Sequence, residues 1–204
     1  MIFNTIKLSS RGVQVGAGAN LDQAAIVKAA FEVLNSEGLD GLSLRLVAER
    51  LDVQAPALYW HVHNKAELLS LMSATFAMAA AVDHMAGQGW REKLLASARL
   101  RRRAMLQYRD SARLCVAAQP LKSAAEAAPQ LAAPLVEAGL DTRHALSYLA
   151  AVIAYTVGWV AYEQSQVMHD YLTAMFDFEE SFEGGLQAMV SGFVDPGEAP
   201  GRHR

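Results

Sequence analysis

The sequence predicts an all-α protein, because two features favour helices over strands. Ala and Leu are abundant, and β-branched residues form only short runs. Apolar residues recur three and four positions apart, and no stretch sustains the apolar–polar alternation of a half-buried strand. With 204 residues, 52% of them hydrophobic and 19% charged, the chain can bury a sizeable core and is not a disordered protein.

The composition also limits where the protein works. The single cysteine, Cys115, excludes an intramolecular disulfide and fits a reducing compartment. No uninterrupted run of about 18 apolar residues occurs, and the N-terminal "MIFNTIKLSSRGVQVGAGAN" lacks the apolar stretch of a signal peptide. We therefore expect a cytoplasmic protein with no membrane span. The net charge of −3 provides no global basic field for nucleic acid.

Both ends of the chain are predicted to be mobile. The first helix is expected directly after the N-terminal end. Residues 1–20 form a flexible arm without periodicity, and the Pro/Gly-rich residues 195–204 form a disordered tail. Asn20 and Gln23 have the spacing of an N-terminal capping box, and Gly38 ends the helix. Its apolar stripe comprises Ile26, Ala29, Ala30, Val33 and Leu34.

Three closely spaced helices come next. Ser43 caps the second helix and Asn64 caps the fourth, while Asp52 and Val53 form a tight turn before a very short third helix. The predicted inward-facing residues are Val47, Ala48 and Leu51 in the second helix, Leu58 and Val62 in the third, and Leu68, Leu69, Met72, Phe76 and Ala79 in the fourth.

Four longer helices are expected downstream, over 90–108, 123–138, 142–168 and 179–193. These helices are separated or interrupted by Pro120, Pro129, Pro134 and Gly139. The 142–168 segment contains "ALSYLAAVIAYTVGWVAY", which is apolar almost all round and must therefore be buried on more than one side. Packing across a subunit interface, with the last helix supplying the other half, meets this need most simply.

The stretch from Ser43 to Val62 has the pattern of a helix-turn-helix, which holds a short helix so that its outer face enters the major groove of DNA. With Leu58 and Val62 directed inward, Tyr59, Trp60 and His61 are left outside. These side chains can donate to phosphate oxygens and pack on sugars or thymine methyl groups.

The segment "LDQAAIVKAAFEVLNSEGLDGLSLRLVAERLDVQAPALYWHVHNKAELL", above all "LYWHVHNK", closely resembles the DNA-binding domain of the TetR family of transcriptional repressors. It is most similar to the tetracycline-repressor branch. Weaker similarity continues through "GWREKLL", "YRDSARL", "EAGLDTRHALSYLAAVIAYTVGWV" and "YEQSQV". The resemblance implies a three-helix DNA-binding domain at 21–66, followed by a helical effector-binding and dimerisation domain at 67–194.

The resemblance also implies which residues contact DNA. Arg45 matches the family's base-reading arginine, and Pro56, Tyr59, Trp60, His61 and Lys65 match residues that contact methyl groups and phosphates. Ala55 and Ala57 replace a glutamine and a threonine that read bases, so a different operator sequence is expected. The predicted DNA-binding set is Ser43, Arg45, Gln54, Ala55, Pro56, Ala57, Tyr59, Trp60, His61 and Lys65.

In the tetracycline-repressor branch the C-terminal helices bind a drug–magnesium complex, but this chain differs at every matched ligand position. Cys115 stands in place of the metal-binding histidine, Ser97 of an asparagine, Arg101 of a phenylalanine, Ala80 of a histidine and Tyr162 of a glutamate. Magnesium prefers oxygen ligands, so we expect neither a magnesium–tetracycline site nor another metal or cofactor.

A different, largely aromatic pocket is predicted instead. Its residues are Ser97, Arg101, Met105, Cys115, Gln119, Tyr155, Trp159, Tyr162, Glu163 and Gln166. Such a lining suits a mostly apolar, planar effector with polar edges. The expected protein is a non-enzymatic repressor that binds double-stranded palindromic operator DNA as a homodimer through its C-terminal helices and responds to a small-molecule effector. One alternative is a ligand-binding or scaffold protein whose DNA-binding domain no longer binds DNA. The other alternative is a helical enzyme.

Several residues have a second interpretation. Tyr59 and Trp60 could be core residues, and His61 with His63 a metal pair, although a spacing of two places their rings on different helix faces. "RLRRR" (residues 99–103) is a second nucleic-acid patch or, as we favour, a solvated helix face with one or two members turned inward. Cys115 is either a redox switch or an inert buried thiol. Tyr155, Trp159 and Tyr162 line a pocket or belong to the core. Lys7 and Arg11 contact the minor groove or form part of a mobile end.

Overall fold

The structure is a computed structural model that describes residues 21–81 and 88–194. The predicted arm at 1–20, with Lys7 and Arg11, and the predicted tail at 195–204 lie outside the described residues. Within the described ranges all regular structure is helical, which confirms the all-α prediction.

The first four helices are α1 (Gln23–Gly41), α2 (Leu44–Arg50), α3 (Ala55–Tyr59) and α4 (Lys65–Ala79). The prediction of Asn20 as the cap of α1 was wrong, because Asp22 is the cap and its carboxylate accepts the N–H of Ala25 at 2.8 Å. Gly38 has φ 73° and interrupts α1 close to its end, as predicted. The predicted caps Ser43 and Asn64 both accept backbone N–H groups of the helices that follow them.

The remaining described helices are α5 (Trp90–Met105), α6 (Ser111–Ala117), α7 (Ala124–Val136), α8 (Thr142–Gln164), α9 (Gln166–Thr173) and α10 (Phe178–Ser191). The prediction of one continuous helix over 142–168 was wrong. Ser165 leaves the helical conformation and its hydroxyl oxygen accepts the N–H of Met168, which ends α8 and starts α9. The short helix α6 was not predicted.

The chain forms two compact units. Of the described residues, the first unit comprises 21–79 and 107–121, and the second comprises 80–81, 88–106 and 122–194. The first unit therefore extends beyond the boundary expected at residue 66. Aromatic packing explains the addition of 107–121, because the Tyr108 ring lies 4.1 Å from that of Phe31 and 6.1 Å from that of Phe76, measured between centroids.

The core of the first unit holds α3 in place. The predicted inward-facing residues Val47, Ala48, Leu58 and Val62 are buried, as is the apolar stripe of α1. Leu51 is only half-buried because it lies at the C-terminal end of α2. Burial of these apolar side chains is the main stabilising contribution to this small helical unit.

The second unit is a helical bundle in which α8 packs against α5, α7 and α10. Its core comprises Leu94, Ala98, Leu135, Leu140, Val152, Phe182, Leu186 and Val190. Among the described helices, α8 is long and apolar enough to cross a membrane by length and composition. Much of α8 is exposed in the single chain, including Ala150, Ala154, Gly158 and Ala161.

Candidate nucleic-acid interface and ligand-binding unit

The turn between α2 and α3 positions the candidate nucleic-acid interface. Asp52 adopts a left-handed conformation with φ 54°, and the N–H of Val53 donates to the carbonyl of Ala48 at 3.1 Å. Leu58 and Val62 are completely buried and anchor α3 against the unit. The short helix is therefore fixed on one side and free to present its other side.

The exposed side of α3 carries the predicted aromatic residues. Tyr59 is 50% exposed and Trp60 is 87% exposed, so the interpretation of these two as core residues was wrong. Gln54 and Pro56 are exposed, and Ala55, Ala57 and His61 are half-buried. A large aromatic ring that is almost fully exposed is unusual for a residue without a binding partner.

Arg45 lies on the exposed side of α2. Its guanidinium forms an ion pair with Glu49, one helical turn later, and the Arg45 side chain is 72% exposed. The i, i+4 spacing of the two charges would have allowed Glu49 to be found from the sequence. The hydroxyl oxygen of Ser43 accepts the N–H of Leu46 at 3.3 Å, so this predicted DNA-binding residue also caps α2.

The start of α4 contributes two further polar groups, Lys65 and Glu67. Lys65 donates from Nζ to the carbonyl of Leu39 at 3.0 Å, which uses one of the three ammonium donors. The carboxylate of Glu67 accepts the N–H of His63 at 2.8 Å and lies 2.9 Å from Nδ1 of the same residue. These contacts hold the pKa of Glu67 below its usual value, the hydrogen bond from the backbone of His63 contributing most and the ring next.

The residues predicted for the ligand pocket are divided between the two compact units. Cys115 and Gln119 belong to the first unit, where the thiol lies 3.8 Å from the Ser73 hydroxyl and the N–H of Gln119 donates to Ser70 at 3.1 Å. Ser97, Arg101 and Met105 are buried on α5 of the second unit, and the other five lie on α8 and α9.

Glu163, predicted as a polar anchor for a ligand, is engaged within the protein. Arg102 donates to both of its carboxylate oxygens, at 2.8 and 3.0 Å, and each side chain is only 10% exposed. The same guanidinium forms an ion pair with Glu179 and lies 4.6 Å from the centre of the Phe182 ring. Glu163 is thus part of a buried ion pair that joins α5 to α8.

Tyr155 and Trp159 belong to an aromatic cluster between α8 and α10. Their ring centroids lie 5.7 Å apart, and Tyr155 lies 5.5 Å from Phe182. The hydroxyl of Tyr155 donates to the carbonyl of Phe182 at 2.9 Å, and burial raises its pKa. Within the described residues, Trp159 Nε1 is buried and has no hydrogen-bond partner.

The last two predicted pocket residues lie at the surface of the single chain. Tyr162 is 47% exposed, and the exposed Gln166 donates to Asp170 at 2.9 Å. A cavity of about 470 Å³ lies along α7 and the start of α8, with no predicted pocket residue in its lining. The lining residues are Ala125, Ala128, Pro129, Ala132, Ala133, Val136, Glu137 and Thr142.

The arginine run at 99–103 follows the interpretation we favoured. Arg101 and Arg102 are buried, whereas Arg103 is exposed. Arg99 forms an ion pair with Glu183 on α10. Two members of the run therefore face inward and Arg99 is ion-paired, an arrangement that does not suit a second nucleic-acid patch.

Comparison with known proteins decides the family. Residues 26–72 match the family described as bacterial regulatory proteins, tetR family, and residues 85–171 match the tetracyclin repressor-like C-terminal domain. The chain is 38% identical over 148 residues to the tetracycline repressor protein class A from transposon 1721 of Escherichia coli, covering 71% of this chain and 68% of that protein. The chain belongs to the TetR family.

Solved structures support the same assignment. TetR (class A) in complex with 5a,6-anhydrotetracycline and magnesium is 33% identical, with a TM-score of 0.66 and coverage of 85% of this chain and 98% of that one. The TetR-family protein ActR from Streptomyces coelicolor, in complex with (S)-DNPA, is 27% identical, with a TM-score of 0.70 and coverage of 86% and 98%. This protein is therefore a transcriptional regulator of the TetR family.

Proposed function

We propose that this TetR-family regulator is a cytoplasmic repressor that binds a palindromic DNA operator as a homodimer and is released by a small, largely apolar or aromatic effector. The observation that carries the proposal is the orientation of α3. Leu58 in α3 and Val62 just after it are completely buried, while Tyr59 and Trp60 at the end of α3 are exposed. This arrangement suits a helix that enters a major groove.

The charge of the DNA-binding domain determines how strongly DNA binding should depend on salt. Residues 21–79 contain four basic and seven acidic side chains, so attraction to phosphates depends on where the cations lie. Arg45 is exposed at the start of α2, and Lys65 lies in the first turn of α4. A small number of phosphate contacts predicts a milder salt dependence than that of strongly basic DNA-binding proteins.

The exposed faces of α8 and α10 support a homodimer. Gly158 in α8 and Gly184 in α10 are helical glycines at which an added Cβ would meet no described atom within 4 Å. A mid-helix glycine lowers helix stability by about 1 kcal/mol relative to alanine. Close approach of another chain would explain why glycine occupies these two positions. A two-fold dimer through these faces would present two copies of α3 to half-sites about 34–36 Å apart.

Two of the similar structures hold chemically different compounds, 5a,6-anhydrotetracycline with magnesium in one and (S)-DNPA in the other, so they do not indicate a single effector for this chain. The half-buried Cys115 contacts a hydroxyl, and a thiol does not fit magnesium. We expect no metal or cofactor in the complex. The aromatic cluster around Tyr155 offers stacking surfaces, and the buried Trp159 Nε1 offers a donor to a polar edge of an aromatic effector.

Selection of duplexes from a random-sequence library by the full-length protein tests operator binding. We expect a palindromic site, and Arg45→Ala should relax preference at one base pair of each half-site by about 1–3 kcal/mol. Arg113→Ala is the matched control, since Arg113 is an exposed arginine paired with Asp40 outside the α2–α3 surface. A library without any enriched sequence would favour the alternative of a ligand-binding or scaffold protein with a degenerate head.

Mass spectrometry of compounds retained by the purified protein tests the effector. An aromatic compound that also releases the selected duplex is the expected result. A retained compound that leaves DNA binding unchanged would contradict its role as effector, and conversion of that compound into a product would favour an enzyme.

A further inference from the structure

His63 and Glu67 form a pair at the junction between α3 and α4. His63 lies between the buried Val62 and Asn64, whose side chain accepts the N–H of Glu67 at 2.9 Å. The Glu67 carboxylate returns to His63 and contacts both its backbone N–H and its ring Nδ1, at 2.8 and 2.9 Å. Two side chains thus fix the turn, and the histidine ring is held by the second of them.

The contact with Glu67 determines which nitrogen of the ring faces outward. Since a carboxylate accepts from Nδ1, the proton of the neutral ring lies on Nδ1 and the opposite nitrogen, Nε2, carries the lone pair. The His63 side chain is 76% exposed, so Nε2 is accessible. Protonation of the ring then adds an outward N–H donor and a positive charge.

His63 is exposed in the segment that connects α3 to α4. The titratable side chains on the two flanking elements are Tyr59 and His61 before it and Lys65 and Glu67 after it. Among the described residues, Glu67 is the ion-pair partner of His63, and Lys65 Nζ is directed to the carbonyl of Leu39. Because residues 21–79 contain more acidic than basic side chains, each additional cation on this surface should increase the affinity for phosphates.

We propose that His63 is a phosphate-contacting residue of the operator surface, positioned by Glu67, and that its protonation makes operator affinity increase as the pH falls. With a neutral ring, the pair contributes the negative charge of Glu67 to the DNA-facing surface. With a protonated ring, the pair is neutral overall and its outward N–H donates to a phosphate oxygen of duplex DNA. The inference rests on operator binding as proposed above.

The test measures binding of the full-length protein to the duplex that it selects from a random library, by fluorescence anisotropy between about pH 5.5 and about pH 8.5. Wild-type affinity should increase about three- to tenfold from about pH 8 to about pH 6, as expected for one charge-assisted hydrogen bond. His63→Gln should lose this increase, and its salt slope at low pH should fall by about 1.

Three further variants separate this role from a structural one. His63→Lys carries a permanent cation and should bind tightly with little pH dependence from this position. Glu67→Gln should weaken the increase in affinity at low pH, because the ring loses the carboxylate that positions it. His144→Gln is the matched control, since His144 is a partly exposed, carboxylate-paired histidine on α8, and it should retain the full increase in affinity at low pH. Equal thermal unfolding midpoints establish that the variants are folded.

The outcomes distinguish this inference from the proposed function. If wild type and His63→Gln have the same pH profile and salt slope while Arg45→Ala still alters base preference, the role of His63 is wrong and operator binding stands. If the protein selects no duplex, both proposals fail together.

Discussion

The carboxylate of Asp110 accepts the backbone N–H of Leu39 at 2.9 Å, which joins the segment before α6 to the end of α1. Beside it, the N–H of Arg109 donates to the side chain of Asn35, also at 2.9 Å. A Cβ at Gly38 would lie only 3.0 Å from the Asp110 carboxylate. The glycine therefore allows both the turn of the chain and the close approach of Asp110.

Asp110→Ala should lower the free energy of unfolding by about 1–3 kcal/mol, because the N–H of the buried Leu39 would lose its acceptor. Asp110 also has φ 56°, a conformation that alanine adopts less readily than aspartate or asparagine. Asp110→Asn is the control, since it retains an acceptor oxygen and tolerates this backbone. Urea denaturation measures both variants, and equal losses in the two would show that the hydrogen bond to Leu39 is not the cause.

Arg102→Ala should destabilise the protein by about 3–5 kcal/mol, because it leaves the buried Glu163 carboxylate without its partner. Replacing both residues with apolar side chains of similar size, as in Arg102→Met with Glu163→Leu, should restore much of this loss. A double-mutant cycle by urea denaturation measures the coupling. Additive effects of the two single substitutions would mean that the ion pair does not stabilise the fold.

The ion pair of Arg99 with Glu183 should make stability depend on acid pH. The hydrogen bond from Arg99 lowers the pKa of Glu183 to about 2. Since the folded-state pKa is lower than the unfolded one, the contribution is complete above the usual glutamate range and is lost as the pH falls towards about 2. Both side chains are partly exposed, so its size should be about 0.5–1 kcal/mol. Arg99→Gln should remove this part of the pH dependence in thermal unfolding between about pH 5 and about pH 2. An unchanged pH profile in the variant would contradict the assignment.

Gly158→Leu tests the proposed dimer face. In the single chain the new side chain meets no described atom within 4 Å of its Cβ, and leucine has the higher helix propensity. A lone subunit should therefore tolerate it, whereas close packing of two copies of α8 should not. Sedimentation velocity should show weaker self-association for Gly158→Leu than for Ala77→Leu, a change at an exposed position of α4. Identical sedimentation of the two variants would exclude this face.

Local features of the first four helices could be predicted from the sequence. Ser43 and Asn64 cap helices through contacts only three residues along the chain, and such spacing is readable. Leu58 lies in α3 and Val62 follows four residues later, just after the helix ends, so their burial follows from helical spacing. The cap of α1 was misplaced by two residues because aspartate and asparagine serve equally well there, and both Asn20 and Asp22 occur.

The second unit depends on contacts that spacing does not reveal. Arg102 and Glu163 are 61 residues apart, and either could have faced a ligand until the structure showed them paired. The break between α8 and α9 rests on Ser165, a residue equally compatible with a continuous helix. Helix α6 is too short to show a clear apolar period, and it was therefore missed.

The affinity of Trp60→Ala for the selected duplex tests the central claim most directly, because the side chain is 87% exposed and its removal should leave folding unchanged. If the outer side of α3 binds DNA, affinity should fall about tenfold or more, equivalent to about 1.4 kcal/mol, while the thermal midpoint stays at the wild-type value. Wild-type affinity in this variant would contradict the account, since the most exposed aromatic side chain of the surface would then make no contact with the operator.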